Sequence, residues 1–227
     1  MTAPLKVGLM VPMNNTTMER ELLAWLPAES TCATLRIPRG KGLLTAESIP
    51  EYKAQALTLA REFAAMDLDV VTYGCTAASF ISGPAGDVQL ARELTEITGK
   101  PVVTTAQSMV IALREANARD IALVTPYTDR VNTQIKAYLA NSGVNVQRFN
   151  SFYAADVEAL GRIQADEVAR LAEETMDDAC EAMFIACSQL PTYAILEGLR
   201  TRFGRPVWSS VQATAQRAMR AGRLQAA

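Results

Sequence analysis

The chain has 227 residues, of which 49% are hydrophobic and 20% are charged, and its formal net charge is -2 at pH 7. This length is enough for one large domain or two small ones, each with its own core. The net charge is small and no basic stripe occurs, so the sequence lacks the electrostatic features typical of proteins that bind nucleic acids or membrane surfaces. We therefore expect a small-molecule ligand.

Four cysteines, at positions 32, 75, 180 and 187, stand in a sequence without histidine. No CxxC pair occurs, which argues against a zinc site built from thiols. Without histidine, Ser-His and Cys-His hydrolase chemistry is excluded, and proton transfer near neutral pH needs Cys, Asp, Glu, Lys or Tyr with a shifted pKa. The sequence has no secretory leader pattern and no apolar run of membrane-spanning length, so we expect a cytoplasmic protein with reduced thiols.

The first half of the chain predicts strands that alternate with helices, a pattern typical of parallel α/β sheets. We predict strands at residues 6–12, 33–37 and 100–105, a buried strand from Val70 to Cys75, and helices at 18–25, 50–66, 88–97 and 106–116. The glycine-containing segments 38–42 and 83–86 are predicted to be a lid-like loop and a turn.

Three landmarks of the first half recur in the same order in the second half. The strand-ending Pro12 and Pro126, the cysteines of residues 70–80 and 182–189, and the Pro-Val pairs at 101 and 206 lie at offsets of 114, 112 and 105 positions. We infer an internal duplication that gives two similar parallel-sheet α/β halves related by pseudo-twofold symmetry. The predicted division places residues 1–106 and 210–227 in the first half and residues 107–209 in the second.

The two duplicated cysteines are the strongest functional candidates. In parallel α/β sheets, ligands bind beyond the carboxyl ends of the strands, and Cys75 and Cys187 are both predicted to lie there. If the halves face each other, both thiols approach one cleft, each near a helix N-terminus whose backbone N–H groups favour a thiolate or a carboxylate. We therefore expect an active site for a small acid in the cleft between the halves.

Residues 11–19 (VPMNNTTME) resemble the amino-terminal signature of the maleate cis-trans isomerases. The paired cysteines and the turn at residues 125–127 extend this resemblance over essentially the whole chain, to the Asp/Glu racemase superfamily that includes the arylmalonate decarboxylases. In the isomerases, a thiolate adds to the dicarboxylate double bond, the covalent succinyl-cysteine rotates about a single bond, and elimination gives fumarate. By this resemblance Cys75 is the nucleophile and Cys187 its acid/base partner, with no metal or organic cofactor.

The resemblance also implies which residues contact the substrate. Asn15 and Tyr127 match positions that hold substrate carboxylates, and Thr76 and Ser188 are placed to present donors to them. Val157 stands where the maleate isomerases carry a further carboxylate-binding Asn, and its segment is more similar to the decarboxylases, which have an apolar residue there. The resemblance therefore implies a small mono- or dicarboxylate substrate in a partly apolar pocket, and a homodimer or higher homo-oligomer.

Other interpretations of these residues remain open at this point. Two opposed thiols also suit a racemase or epimerase of amino or hydroxy acids, and the fold suits an arylmalonate decarboxylase-like enzyme, although the decarboxylases have glycine in place of the first cysteine. A binding protein without catalytic activity is a third possibility. Asn15 can be a helix cap, Tyr127 a packing aromatic and Lys41 a solvated loop residue, while Cys32 and Cys180 are interpreted as structural.

Overall fold

The computed structural model describes residues 3–225, in which helices and parallel strands alternate. The strands are β1 (Lys6–Pro12), β2 (Thr31–Ile37), β3 (Val70–Tyr73), β4 (Val102–Thr104), β5 (Asp120–Thr125), β6 (Asn145–Ser151), β7 (Ala182–Ile185) and β8 (Val207–Ser209). The helices are α1 (Met18–Trp25), α2 (Ile49–Ala64), α3 (Thr76–Ile81), α4 (Gly83–Thr98), α5 (Thr105–Glu115), α6 (Asp129–Asn141), α7 (Val157–Arg162), α8 (Ala165–Thr175), α9 (Leu196–Phe203) and α10 (Ser210–Gln225). Among these described residues, no helix combines the length and the apolar character needed to cross a membrane.

The eight strands form two parallel sheets with the same strand order. The first sheet runs β2-β1-β3-β4 and the second runs β6-β5-β7-β8. The central strands are apolar along nearly their whole length because helices cover both faces of each sheet, and every residue of β3 and β7 is buried. The equal strand orders confirm the predicted duplicated α/β fold.

The predicted elements differ from the observed ones after Cys75. The short helix α3 was not predicted, and the predicted turn at residues 83–86 is instead the first turn of α4. Pro84 occupies the first turn of that helix, where its missing N–H leaves no hydrogen bond unmade and its fixed φ suits the helix.

Helix α10 returns the end of the chain to the first half. Its residues Val211, Ala215 and Ala218 pack in one apolar cluster with β1 and α1, and the helix also contacts β3, β4 and α5. The boundaries of the division, at 106/107 and 209/210, stay a prediction.

A buried carboxyl group lies where α4 of the first half meets α6 of the second. Asp87 on α4 is 1% exposed, and its Oδ2 accepts hydrogen bonds from Tyr138 Oη (3.0 Å) and Thr104 Oγ1 (2.9 Å). Its Oδ1 is buried without a hydrogen-bond partner. Burial therefore raises the pKa of Asp87 from 3.8 to about 7, because removal from water disfavours the charged form.

We expect the contribution of Asp87 to the free energy of unfolding to fall as the pH rises from about 4 to about 7, because native Asp87 keeps its proton in this range and the unfolded chain loses it. The raised pKa corresponds to a loss of up to about 4 kcal/mol across that window. Asp87→Asn, which substitutes an uncharged group of the same shape, should remove this contribution. Urea unfolding followed by tryptophan fluorescence measures the slope, and equal slopes for the two proteins would contradict the prediction.

Candidate active site

The carboxyl ends of β1, β3, β5 and β7 face one cavity between the two sheets. The cavity is lined by Pro12, Asn14, Asn15, Arg39, Leu43, Leu44, Cys75, Thr76, Ala77, Tyr127, Val131, Leu160, Cys187, Ser188 and Gln189. The space that the centre of a water-sized molecule can occupy is about 40 Å³, so the cavity is narrow. Six of the seven site residues predicted from the sequence lie on its wall.

Cys75 is delivered to this cavity by the end of β3 and directly precedes α3. The preceding residue is Gly74, whose backbone passes close to side chains of α1 and β1. A Cβ atom at Gly74 would lie 2.5 Å from Sδ of Met18 and 2.9 Å from Cγ1 of Val11. A side chain at position 74 would therefore displace these neighbours, which lie directly beside the backbone that leads to the thiol.

The Cys75 thiol is buried, and burial raises its pKa above the ordinary value. Four neighbours act in the opposite direction and favour the thiolate: the backbone N–H groups of Ala78 and Ala77, the positive charge of Arg39 and the hydroxyl of Tyr52. The predicted effect of the helix N-terminus is therefore present, but it does not lower the pKa overall because the cost of burying a charge is larger.

Cys187 follows β7 in the same manner, but no helix begins beside it. The chain instead makes a turn in which the backbone N–H of Gln189 donates to Cys187 Sγ (3.4 Å), and α9 begins only at Leu196. The expectation of a helix N-terminus at this cysteine is thus wrong. Burial raises the pKa of Cys187 to about 11, against smaller contributions from the N–H of Gln189 and the hydroxyl of Tyr127.

The two thiols are close enough that a charge on Cys75 further raises the pKa of Cys187. Arg39 is a cation that favours the thiolate of Cys75, and no cation acts in this way on Cys187, whose pKa of about 11 keeps it protonated near neutral pH. The arrangement therefore supplies one sulfur that can act as a nucleophile and one that can give and take a proton.

A hydrogen-bond network joins the two halves across the cavity. Asn15 Nδ2 donates to Ser188 Oγ (3.2 Å), and Ser188 Oγ donates to the carbonyl oxygen of Gly74 (2.6 Å). Next to them, the side chain of Gln189 both accepts from the backbone N–H of Thr16 (2.9 Å) and donates to its hydroxyl (3.0 Å). Asn15 Oδ1 also accepts from the backbone at the start of α1, so Asn15 is a helix cap and a cavity residue at once.

Tyr127 directs an available hydroxyl at the thiols. The residue is 4% exposed, and its Oη lies close to Cys187, Cys75 and Thr76 but has no hydrogen-bond partner of favourable geometry. A buried hydroxyl without a partner is costly unless a ligand accepts from it. The hydroxyl of Thr76 donates to Ser210 Oγ (3.1 Å), so it is held in place beside them.

Ser210 is a structural residue of the site that the sequence analysis did not single out. Its Oγ accepts from the backbone N–H of Cys187 (3.1 Å) as well as from Thr76, and so it connects the surroundings of both cysteines. A signal for it was available, because Ser210 is the repeat equivalent of Thr105 at the offset of 105, and Thr105 contacts Ser79 in the first half.

Val157 is the one predicted site residue that does not line the cavity. It begins α7, is partly exposed, and its backbone N–H donates to the carbonyl oxygen of Lys41 (3.2 Å). Leu160, one turn later in α7, lines the cavity instead, and further apolar wall comes from Val131, Leu43 and Leu44. The predicted partly apolar character is present, but other residues provide it.

The comparisons with known proteins agree with this arrangement. The sequence profile of arylmalonate decarboxylase matches residues 7–227. The maleate isomerase of Nocardia farcinica is 28% identical over 225 residues, which cover 95% of this chain and 89% of the relative. The arylmalonate decarboxylase of Bordetella bronchiseptica is 28% identical over 173 residues, which cover 75% of this chain and 72% of the relative.

A solved structure of a maleate isomerase has the same fold as this chain. It is a cysteine-to-serine mutant of the Nocardia farcinica maleate cis-trans isomerase with a covalently bound succinylcysteine intermediate. Its TM-score with this chain is 0.89 at 26% identity, and the match covers 96% of this chain and 93% of that one. The predicted relation to both groups of enzymes is therefore confirmed.

Proposed function

The chain belongs to the arylmalonate decarboxylase family, and we propose that within it the protein is a cofactor-independent maleate cis-trans isomerase. The observation that carries the proposal is the pair of buried thiols, Cys75 and Cys187, in one cavity with differing surroundings. The curated maleate isomerases among its relatives, which match nearly the whole chain, support the same reaction.

The first half of the reaction makes a covalent adduct. The Cys75 thiolate adds to one alkene carbon of maleate, so that a C–S bond forms while the π bond breaks. The displaced electron pair moves onto the neighbouring carbon and its carboxylate, and the S–H of Cys187 protonates that carbon. The product is a succinyl group on Cys75, with Cys187 left as the thiolate.

The second half reverses these steps after rotation. The former double bond is now a single bond, and rotation about it separates the two carboxylates. Cys187 then removes the proton, the double bond forms again, the C–S bond breaks, and Cys75 leaves as the thiolate while fumarate is released. Both sulfurs return to their starting states, so no electrons are gained or lost and no cofactor is required.

Neutral donors are proposed to hold the substrate carboxylate that stabilises the intermediate. Tyr127 Oη is the donor best placed for this, since it is buried beside both thiols without a partner. Asn15, Thr76 and Ser188 line the same part of the cavity. The Asn15 amide has a second N–H besides the one donated to Ser188, whereas the hydroxyls of Thr76 and Ser188 already donate to Ser210 and to the carbonyl oxygen of Gly74, so these two residues can offer only backbone N–H groups. Donors that are already oriented stabilise developing charge without a cost of reorganisation.

The cytoplasmic location and the homodimeric or higher assembly expected from the sequence stay predictions. All four cysteines are free thiols in the structure.

The experiment that tests the proposal is incubation of the purified protein with maleate while fumarate is followed by proton NMR. We expect fumarate to accumulate without added metal or cofactor. A parallel reaction with phenylmalonate tests the decarboxylase alternative, for which we expect no release of CO2. Absence of fumarate would overturn the proposed function, and decarboxylation of phenylmalonate would then favour the decarboxylase alternative.

A further inference from the structure

We propose that Arg39 binds the second carboxylate of the substrate and thereby makes the site selective for dicarboxylates over monocarboxylates. This inference rests on the proposed function, because it concerns the same cavity and the same class of substrate. Arg39 was not identified from the sequence as a candidate site residue, although it lies in the predicted loop at residues 38–42.

Arg39 is the only residue with a formally charged side chain among those that line the catalytic cavity. Its Nε is buried without a hydrogen-bond partner, although its Nη2 donates to the carbonyl oxygen of Gly42. Within residues 3–225 it forms no ion pair with a carboxylate. The guanidinium group thus has a buried donor available for an anion, and the protein itself provides no anion for it.

The position of Arg39 suits the second carboxylate rather than the first. The neutral donors lie at the carboxyl ends of central strands: Asn15 after β1, Tyr127 after β5 and Ser188 after β7. Arg39 instead follows β2, and it lines the cavity together with Leu43 and Leu44 of the same loop. These three residues also line an adjoining, larger cavity of about 410 Å³. Arg39 therefore stands where the two cavities meet, at a place that is otherwise apolar on the catalytic side.

The charge balance of the proposed reaction also requires a cation. Maleate brings two negative charges into a cavity that holds a third when Cys75 is a thiolate. A carboxylate that is buried among leucines without a counter-ion is strongly disfavoured. The planar guanidinium fork can accept a carboxylate through two parallel N–H···O bonds, and its charge is near enough to favour the Cys75 thiolate as well.

The test compares two ligands of the same cis shape in a Cys75→Ala background, which prevents turnover and removes any effect of Arg39 on the thiolate. The ligands are maleate and (Z)-but-2-enoate, in which a methyl group replaces one carboxylate. We expect Arg39→Leu to weaken maleate binding roughly 10- to 100-fold, as for loss of a charged hydrogen bond. The affinity for (Z)-but-2-enoate should change less than about threefold, since it lacks the second anion. Ligand-observed NMR titration measures both affinities.

Lys41→Leu is the matched control, because it removes the same charge from the same loop at an exposed position outside the cavity. It should leave both affinities unchanged. Equal losses for the two ligands in Arg39→Leu, no loss for maleate, or failure of the Cys75→Ala protein to bind maleate would each overturn the inference. The proposed function is tested separately by fumarate formation in the wild type, so a protein that binds maleate through Arg39 but makes no fumarate would retain this inference and lose that function.

Discussion

Cys75→Ala is expected to lower the rate of fumarate formation from maleate by about four orders of magnitude or more, the scale of loss when the nucleophile of covalent catalysis is removed. The proposed mechanism has no other atom that can form the C–S bond, because Cys187 is the proton donor and keeps its own proton near neutral pH. Initial rates measured by NMR, or by the change in ultraviolet absorbance, give the ratio.

The loss must be separated from an effect on folding. Cys75 is buried next to Ala78 and Tyr52 in the core of the first half, so the melting temperature and the circular dichroism spectrum of the variant should be compared with those of the wild type. Cys32→Ala is the matched control, because Cys32 is a partly buried thiol on β2 outside the cavity and should keep full activity. A folded Cys75→Ala protein that retains a tenth of the wild-type rate would show that the nucleophile is another group.

Much of the fold follows from the repetition of landmarks in the sequence. The prolines at 12 and 126 and the cysteines at 75 and 187 occur in the same order along each half of the sequence. The strands of the two sheets are likewise arranged in the same order. The short helix α3 could not be predicted in this way. Its six residues are too few to show a helical period, and its formation depends on packing against α4, α5 and α6.

The predicted site residues that line the cavity share one property, which is their place directly after a central strand. These residues all follow β1, β3, β5 or β7, and the parallel strands of one sheet bring such positions to the same edge of that sheet: Asn15, Cys75, Thr76, Tyr127 and Ser188. Their proximity within each half was therefore predictable from order along the chain. That the edges of the two sheets face one cavity depends on how the halves pack, which the sequence alone does not fix.

The residues that were missed come from loops and helices whose placement depends on tertiary packing. Arg39 and Leu44 lie in the long connection between β2 and α2, which carries no periodic pattern. On α7, the choice between Val157 and Leu160 depends on the rotation of a helix of only six residues, and the sequence alone does not fix that rotation. The sequence thus predicted that part of the cavity wall is apolar, but not which residues form that part.

Cys187→Ser is expected to leave Cys75 able to add to maleate but to prevent efficient elimination, so that the covalent adduct accumulates. In this variant solvent water must supply the proton that Cys187 otherwise gives, and the serine stays a neutral hydroxyl. That hydroxyl is a far weaker base than the Cys187 thiolate, and the proton next to the carboxylate must be removed before the C–S bond can break. We expect fumarate formation to fall about 10²- to 10⁴-fold, the usual contribution of a general acid–base group. Intact mass spectrometry should show an increase equal to one molecule of maleic acid, and peptide mapping should place it on Cys75.

Two further variants, Cys75→Ser and the double variant, test which of the two sulfurs is the nucleophile. If Cys75 alone is the nucleophile, Cys75→Ser should show no adduct, and the double variant Cys75→Ser with Cys187→Ser should behave in the same way. An adduct on Cys187 in the Cys75→Ser protein would mean that the sulfur without a neighbouring cation is the nucleophile, against the difference in surroundings described above. Each thiol has a tyrosine hydroxyl beside it, Tyr52 for Cys75 and Tyr127 for Cys187, but only Cys75 has a neighbouring cation, Arg39. This difference between the two duplicated strand ends is the physical reason to expect the adduct on Cys75.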